Sequence, residues 1–177
     1  GYLLHATAAG GVTATPESFT VFSNQVIFVT SGTWNGNLGN YSGADSKCGM
    51  DESKPSTGSP GAGKSYKALL YLNNATSNGV KYYRTDGTTL IATATGGFLV
   101  GETNTLINSI SATYKNTWTG GDQANENCAT RSGAWLLSIE SGLMKGNTGS
   151  SSSKTTTWAF SSSINCNLSK SLYCVAQ

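Results

Sequence analysis

The stretch GSPGAGKS at residues 58–65 has the spacing of a phosphate-binding loop. In nucleotide hydrolases such a loop follows a buried strand, and its glycine N–H groups, lysine and hydroxyl then hold the phosphates and a magnesium ion. Here the preceding residues, MDESKPST, are charged and contain a proline, so no core strand leads into Gly58. We therefore interpret the stretch as a loop with a solvated Lys64 and predict that it is a false nucleotide-binding motif.

The sequence offers too few suitable residues, above all histidines, to identify another catalytic or metal-binding site. The chain has one histidine, His5, so a catalytic base or a histidine metal ligand would have to be this residue. The nine acidic residues cannot be paired from sequence alone, although two of them at a suitable separation could hydrolyse a sugar. We predict no enzyme activity, no catalytic residue, no metal site and no cofactor.

The four cysteines, Cys48, Cys128, Cys166 and Cys174, are an even number in a polar chain rich in glycine and serine. This composition predicts two disulfides and an oxidising compartment, outside the cell or on its outer surface. A zinc site is disfavoured because no two cysteines have the close C-x2-C spacing. Spacing alone leaves all three disulfide pairings open.

Length and charge limit the classes of protein that remain. A chain of 177 residues suits one domain. With 11% charged residues and a net charge of +2, no strong field would attract nucleic acid, so none is expected as a partner. No run of about 18 apolar residues occurs, so we predict no transmembrane segment, while a signal or a lipid anchor upstream of Gly1 stays open.

The elements that would position these residues follow from local patterns. Residues 1–24 are small and weakly patterned and are predicted to be an arm or linker, leaving residues 25–177 as the domain. In GADSKC the four-residue spacing of Ala44 and Cys48 indicates a helix with Cys48 turned inward. The Asp86-Gly87 pair between two β-prone runs predicts a hairpin.

Further segments are assigned by composition. Strands are predicted for QVIFVT, YKNTWTG, TTWAFSS and SLYCVA, and SYKALLYL is either a strand or a short helix. The low-complexity stretch at 142–157 is predicted to be a mobile surface loop. Trp118 and Trp158 are expected in the core, because aromatic side chains are usually largely buried.

The order of several segments resembles a known family. WAFSSSINC places Trp158 eight residues before Cys166, and CNLSKSLYC places Cys166 eight residues before Cys174. Together with GADSKC, SYKALLYL and WTGGDQANENC, this order resembles a C-type-lectin-like domain. It is most similar to the endostatin-like branch and to a group of spirochaete (leptospiral) surface lipoproteins.

This resemblance implies an α+β fold with short mixed sheets, one or two helices, long loops and two disulfides. It also implies the pairs Cys48–Cys174 and Cys128–Cys166. Where a calcium-dependent sugar binder of that family has Trp-Asn-Asp, this chain has Trp158-Ala159-Phe160, which offers no oxygen ligands. We therefore expect recognition without a metal ion.

These inferences predict a non-catalytic bacterial binding module, secreted or on the cell surface, that recognises a host matrix or glycoprotein ligand in the manner of an adhesin. Its partners would be protein or glycan ligands at the cell surface. The alternative is a structural or assembly module that binds sibling proteins of the cell envelope. Loop residues suited to anchoring a ligand are Trp34, Lys81, Tyr82, Tyr83, Arg84, Asp122 and Arg131.

Overall fold

A computed structural model describes residues 25–101, 103–120, 128, 135 and 145–177. The predicted arm at residues 1–24 lies outside this part of the chain. The described residues form one α-helix and eight strands, an α+β architecture. The helix α1 spans Asn40–Met50, and the strands are β1 Gln25–Val29, β2 Tyr66–Ala68, β3 Lys81–Tyr83, β4 Leu90–Thr93, β5 Asn116–Trp118, β6 Lys145–Ser150, β7 Ser162–Asn165 and β8 Ser171–Ala176.

The last strand, β8, is the centre of a mixed sheet. The strand order is β4-β3-β1-β8-β5-β6-β7, and β2 also pairs with β8. Strand β1 runs antiparallel to β8 and parallel to β3, whereas β5 runs parallel to β8. All six residues of β8 are buried, as expected for a central strand that is covered on both faces.

Side chains alternate between two cores on the two faces of the sheet. Leu172 and Cys174 of β8 belong to the core beneath helix α1, which we call the helix-side core, while Tyr173 and Val175 belong to the opposite one, the aromatic core. This is the two-residue period of a strand. It explains why QVIFV and SLYCVA are continuous apolar runs.

Both disulfides lie in the helix-side core. They join Cys48 to Cys174 and Cys128 to Cys166, which confirms the predicted pairs. Ala44 and Cys48 are the buried residues of α1, so the helix and its inward face are also confirmed. Asp45 attaches the helix to the sheet, because its Oδ1 accepts the backbone N–H of Ala68 at 2.8 Å.

The aromatic core is built around Trp158. Its ring stacks on Phe98 with a centroid distance of 5.4 Å. The Tyr173 hydroxyl donates to the Trp158 carbonyl at 3.0 Å. Trp118 lies in the helix-side core, and both tryptophans are fully buried, as predicted.

The hairpin and several strands are also confirmed. Strands β3 and β4 pair antiparallel on either side of Asp86-Gly87, and Gly87 has a φ of 71°. SYKALLYL contains the strand β2, and QVIFVT, YKNTWTG and SLYCVA contain β1, β5 and β8.

Two predictions near the C-terminus are wrong. The expected surface loop at 142–157 contains β6, whose residues Gly146 to Gly149 are all buried. Glycine is required there by close packing, since a β-carbon at Gly146 would come within 2.6 Å of the Trp118 ring. TTWAFSS was expected to be a strand, but Thr156–Trp158 form a 3-10 helix, and β7 begins at Ser162. This turn directs Trp158 into the aromatic core.

Candidate ligand-binding surface

Strand directions bring several loops to one end of the sheet. Because β1 runs parallel to β3 and antiparallel to β8, the ends of β1 and β3 lie beside the start of β8. Strand β5 is parallel to β8 and begins there as well. We call this region the loop end and define it as residues 30–34, 50–53, 84–86, 110–115 and 169–170.

Three clefts adjoin at the loop end. The first, of about 460 Å³, lies between residues 31–34 and the end of α1 and is lined by Trp34, Asp51 and Glu52 among others. The second, of about 430 Å³, includes Arg84, and the third, of about 300 Å³, includes Tyr114. Ser31 lines the first and third clefts and Lys115 the second and third, so the three form a continuous surface.

Asp51 holds the loop that follows β1. Its carboxylate accepts the backbone N–H groups of Ser31 and Gly32, each at 3.0 Å, and that of Ser53 at 2.8 Å. Burial acts to raise the pKa of Asp51, but these hydrogen bonds outweigh burial and hold the pKa below its usual value. The ionised carboxylate therefore has a structural use in this wall of the first cleft.

Trp34 and Lys115 are fixed by backbone contacts. The Trp34 carbonyl accepts the indole N–H of buried Trp118 at 2.7 Å, and Trp34 forms a β-bridge with Lys170. The Lys115 ammonium donates to the Thr30 carbonyl at 2.7 Å. These contacts connect the walls of the clefts to the sheet, so the surface is held in shape before any ligand arrives.

Arg84 and Asp86 shape the second cleft. Arg84 donates from Nε to the Ser109 carbonyl at 2.8 Å and from Nη2 to its hydroxyl at 2.7 Å. The backbone N–H and hydroxyl of Thr89 lower the pKa of Asp86 to about 2. Asp86 thus stabilises the hairpin turn, while Arg84 supplies a fixed positive charge.

The loop end brings together only some of the predicted ligand-binding residues. Trp34 and Arg84 line clefts there. Tyr82 is 2% exposed and lies in the aromatic core, where its hydroxyl accepts the N–H of Ser77, so its ring cannot face a ligand. Lys81, at the other end of β3 from Arg84, is exposed, and Tyr83 is half-buried. Asp122 and Arg131 lie outside the described residues.

Tyr114, Lys115 and Lys170 were missed by sequence reasoning. Tyr114 is 61% exposed at the loop end. No spacing in the sequence distinguishes these residues from other polar loop positions. They meet because β5 and β8 are parallel neighbours, with Thr117 opposite Ser171.

The phosphate-loop pattern at 58–65 lacks the elements that such a loop needs. Residues 51–65 form turns and irregular structure, and the strand β2 follows where a helix would be required. Lys64 donates from Nζ to the Gln25 side-chain carbonyl at 2.8 Å. The geometry around Lys64 is therefore that of a surface turn.

Neither a metal-binding cluster nor a membrane-spanning helix is present in the described part of the chain. No group of three or more histidine, cysteine or acidic side chains there could hold a metal ion. His5 is outside that part. None of the described helical segments has the length and apolarity needed to cross a membrane.

The comparisons with known proteins give a family and nothing more specific. A family model described as a protein of unknown function, DUF1554, matches residues 31–154. No curated protein matches the chain. The matched range includes helix α1 and residues from all three clefts.

Proposed function

For this chain, which belongs to the DUF1554 family, we propose a non-catalytic binding role on a bacterial surface or in secreted form. The ligand would be a host matrix protein or glycoprotein, bound without a metal ion through the loop end. The two disulfides are consistent with an extracytoplasmic location. The frame would be a C-type-lectin-like domain of the endostatin-like type, supported by the disulfide pairing and by the helix that carries Cys48.

The observation that supports this role best is the continuity of the three clefts. A surface that combines the half-exposed Trp34, the exposed Tyr114 and the fixed guanidinium of Arg84 contains the residue types that dominate binding energy at interfaces. Their backbone is anchored to buried strands, so little conformational entropy would be lost on binding. Loops on a rigid frame are where binding residues usually concentrate.

The charges of this surface favour a polar, shape-dependent contact. Arg84 and Lys115 lie in one cleft with Asp86, and Lys47 lies in another with Asp51 and Glu52. Because positive and negative groups alternate, the ligand would be selected by local complementarity more than by net charge.

The test is equilibrium binding of the disulfide-intact chain to immobilised matrix glycoproteins at physiological salt, with calcium or with EDTA. We expect saturable binding that EDTA does not change. Arg84→Gln should weaken it about tenfold, which corresponds to about 1.4 kcal/mol.

Lys81→Gln is the matched control. It also removes one positive charge, but Lys81 begins β3 whereas Arg84 follows the end of that strand at the loop end, so binding should be unchanged. Equal losses in both variants would contradict the loop end as the binding surface. No binding to any glycoprotein, combined with self-association of the chain, would favour the envelope-assembly role instead.

A further inference from the structure

The third cleft differs from its two neighbours in the charge of its walls. Its lining residues include Lys115 and Lys170 and no acidic residue. The first cleft contains Asp51 and Glu52, and the second contains Asp86. Of the three clefts at the loop end, this one therefore favours an anionic group.

Both lysines are held at the cleft by the surrounding chain. Lys115 is held through its ammonium contact with the Thr30 carbonyl, at 2.7 Å. The backbone N–H of Lys170 donates to the Trp34 carbonyl, and its carbonyl accepts the Trp34 N–H, each at 2.9 Å. These contacts fix the ammonium of Lys115 and the backbone of Lys170 beside the open cleft. Two ammonium groups at such a position are suited to a carboxylate.

The wall of the same cleft contains an acceptor without a donor. The Oδ1 atom of Asn116 is buried and has no hydrogen-bond partner. Such a group costs free energy unless it is satisfied. A rotation of the amide would present Oδ1 to a hydroxyl or an N–H group in the cleft, which a bare anion could not supply.

Tyr114 provides an apolar contact at the rim. Its ring is 61% exposed, whereas most of the described aromatic side chains are buried. An aromatic ring with a free face can pack against the C–H face of a sugar ring, while polar neighbours bind the hydroxyls. Four hydroxyl side chains, those of Ser31, Thr33, Ser169 and Ser171, complete the lining.

We propose that this cleft binds a terminal carboxylated sugar, of the sialic or uronic acid class. The lysines would take the carboxylate, Asn116 and the neighbouring serines the hydroxyls, and Tyr114 one face of the ring. An acidic peptide would satisfy the lysines but would leave the hydroxyl-lined wall and the aromatic rim without matching groups. This inference rests on the proposed binding function and specifies its ligand.

The experiment is an NMR titration of the disulfide-intact, isotope-labelled chain with 3′-sialyllactose, with glucuronic acid and with lactose as the uncharged comparison. We expect shifts of the amides around Asn116 and Lys170 with either acidic sugar, and none with lactose at the same concentration. Affinity should be weak, about millimolar, because a single sugar makes few contacts. It should fall with added salt because the lysines are partly exposed.

Variants separate the cleft from the rest of the surface. Tyr114→Ala and Lys170→Gln should each weaken sialyllactose binding by at least tenfold. Phe160→Ala and Lys154→Gln are the matched controls, since they remove an exposed ring and an exposed cation elsewhere and should change nothing. Urea unfolding of all four variants establishes that the fold is retained.

The outcomes distinguish this inference from the function on which it rests. If the chain binds glycoproteins before and after sialidase treatment with equal affinity and no acidic sugar shifts the cleft amides, the sugar inference fails and the binding role stands. If an acidic peptide competes as well as sialyllactose, the cleft recognises only the negative charge of its ligand, and the inference is again overturned. If neither glycoproteins nor sugars bind, both proposals are rejected.

Discussion

Two segments of this chain are similar in composition and opposite in structure. Residues 56–65, STGSPGAGKS, form an irregular loop, whereas residues 145–150, KGNTGS, form the buried strand β6. Both are rich in glycine, serine and threonine. Glycine composition therefore does not by itself distinguish a loop from an interior strand.

The difference lies in what each glycine is required for. In the loop, Gly58 has a φ of 87°, which disfavours any residue with a β-carbon. Apart from Gly58 and its two chain neighbours, no residue has an atom within 4 Å of where that carbon would be. In β6, a β-carbon at Gly149 would overlap the carbonyl of Trp158. Glycine therefore serves backbone conformation at Gly58 and close packing at Gly149.

The largest expected effect comes from Gly149→Ala. Because the atom in the way is a backbone carbonyl, either β6 or the turn at Trp158 must move, and we expect the free energy of unfolding to fall by about 3 kcal/mol or more. Urea unfolding with both disulfides intact measures it.

Gly49→Ala is its control. Gly49 lies in the last turn of α1, and no atom beyond its chain neighbours and the adjacent helix backbone lies within 4 Å of its added β-carbon. That variant should be unchanged or more stable by roughly 0.5 kcal/mol. A Gly149→Ala protein within 1 kcal/mol of the parent would instead indicate that β6 adjusts freely, and the contrast between the two segments would be lost.

A smaller effect is expected from Gly58→Ala. An alanine forced into the left-handed region costs about 1–2 kcal/mol, although it meets no neighbouring atom. Gly58→Asn should cost less, because asparagine tolerates that conformation. Equal unfolding free energies for the two variants would argue that backbone conformation is not the constraint at this position.

The smallest effect is expected from Lys64→Ala. Removing its partly buried hydrogen bond to Gln25 should lower the free energy of unfolding by about 1 kcal/mol, the usual net contribution of one hydrogen bond. Thermal unfolding of the parent chain should be the same with and without millimolar Mg-ATP. A rise in melting temperature with Mg-ATP that the variant loses would revive the phosphate-loop interpretation.

Local sequence patterns predicted the elements whose burial can be recognised from residue type and spacing. The continuous apolar runs of β1 and β8 and the inward spacing of Ala44 and Cys48 each depend on burial, which residue type reports directly. Tyr82 shows the limit of this approach. Its neighbours in β3, Lys81 and Tyr83, are more exposed than Tyr82, as the alternation of a strand requires. Which face of the strand is buried depends on the strands beside it, so the sequence could not show that Tyr82 faces the core and not a ligand.

The candidate site was predictable only in part. Trp34 and Arg84 could be nominated as loop residues of suitable type, but nothing in their spacing related them to Tyr114 or Lys170. These residues share one surface because β8, the last strand in the chain, lies between the early strand β1 and the later strand β5.

The sequence by itself determined that this chain has disulfides, a mixed set of short elements and few charges, because cysteine number, residue type and local periodicity carry that information. Only the tertiary structure decided which glycines are packing contacts and which loops share a surface. Both are long-range properties: they depend on the direction and register of strands far apart in the chain, and no local pattern records which strands become neighbours.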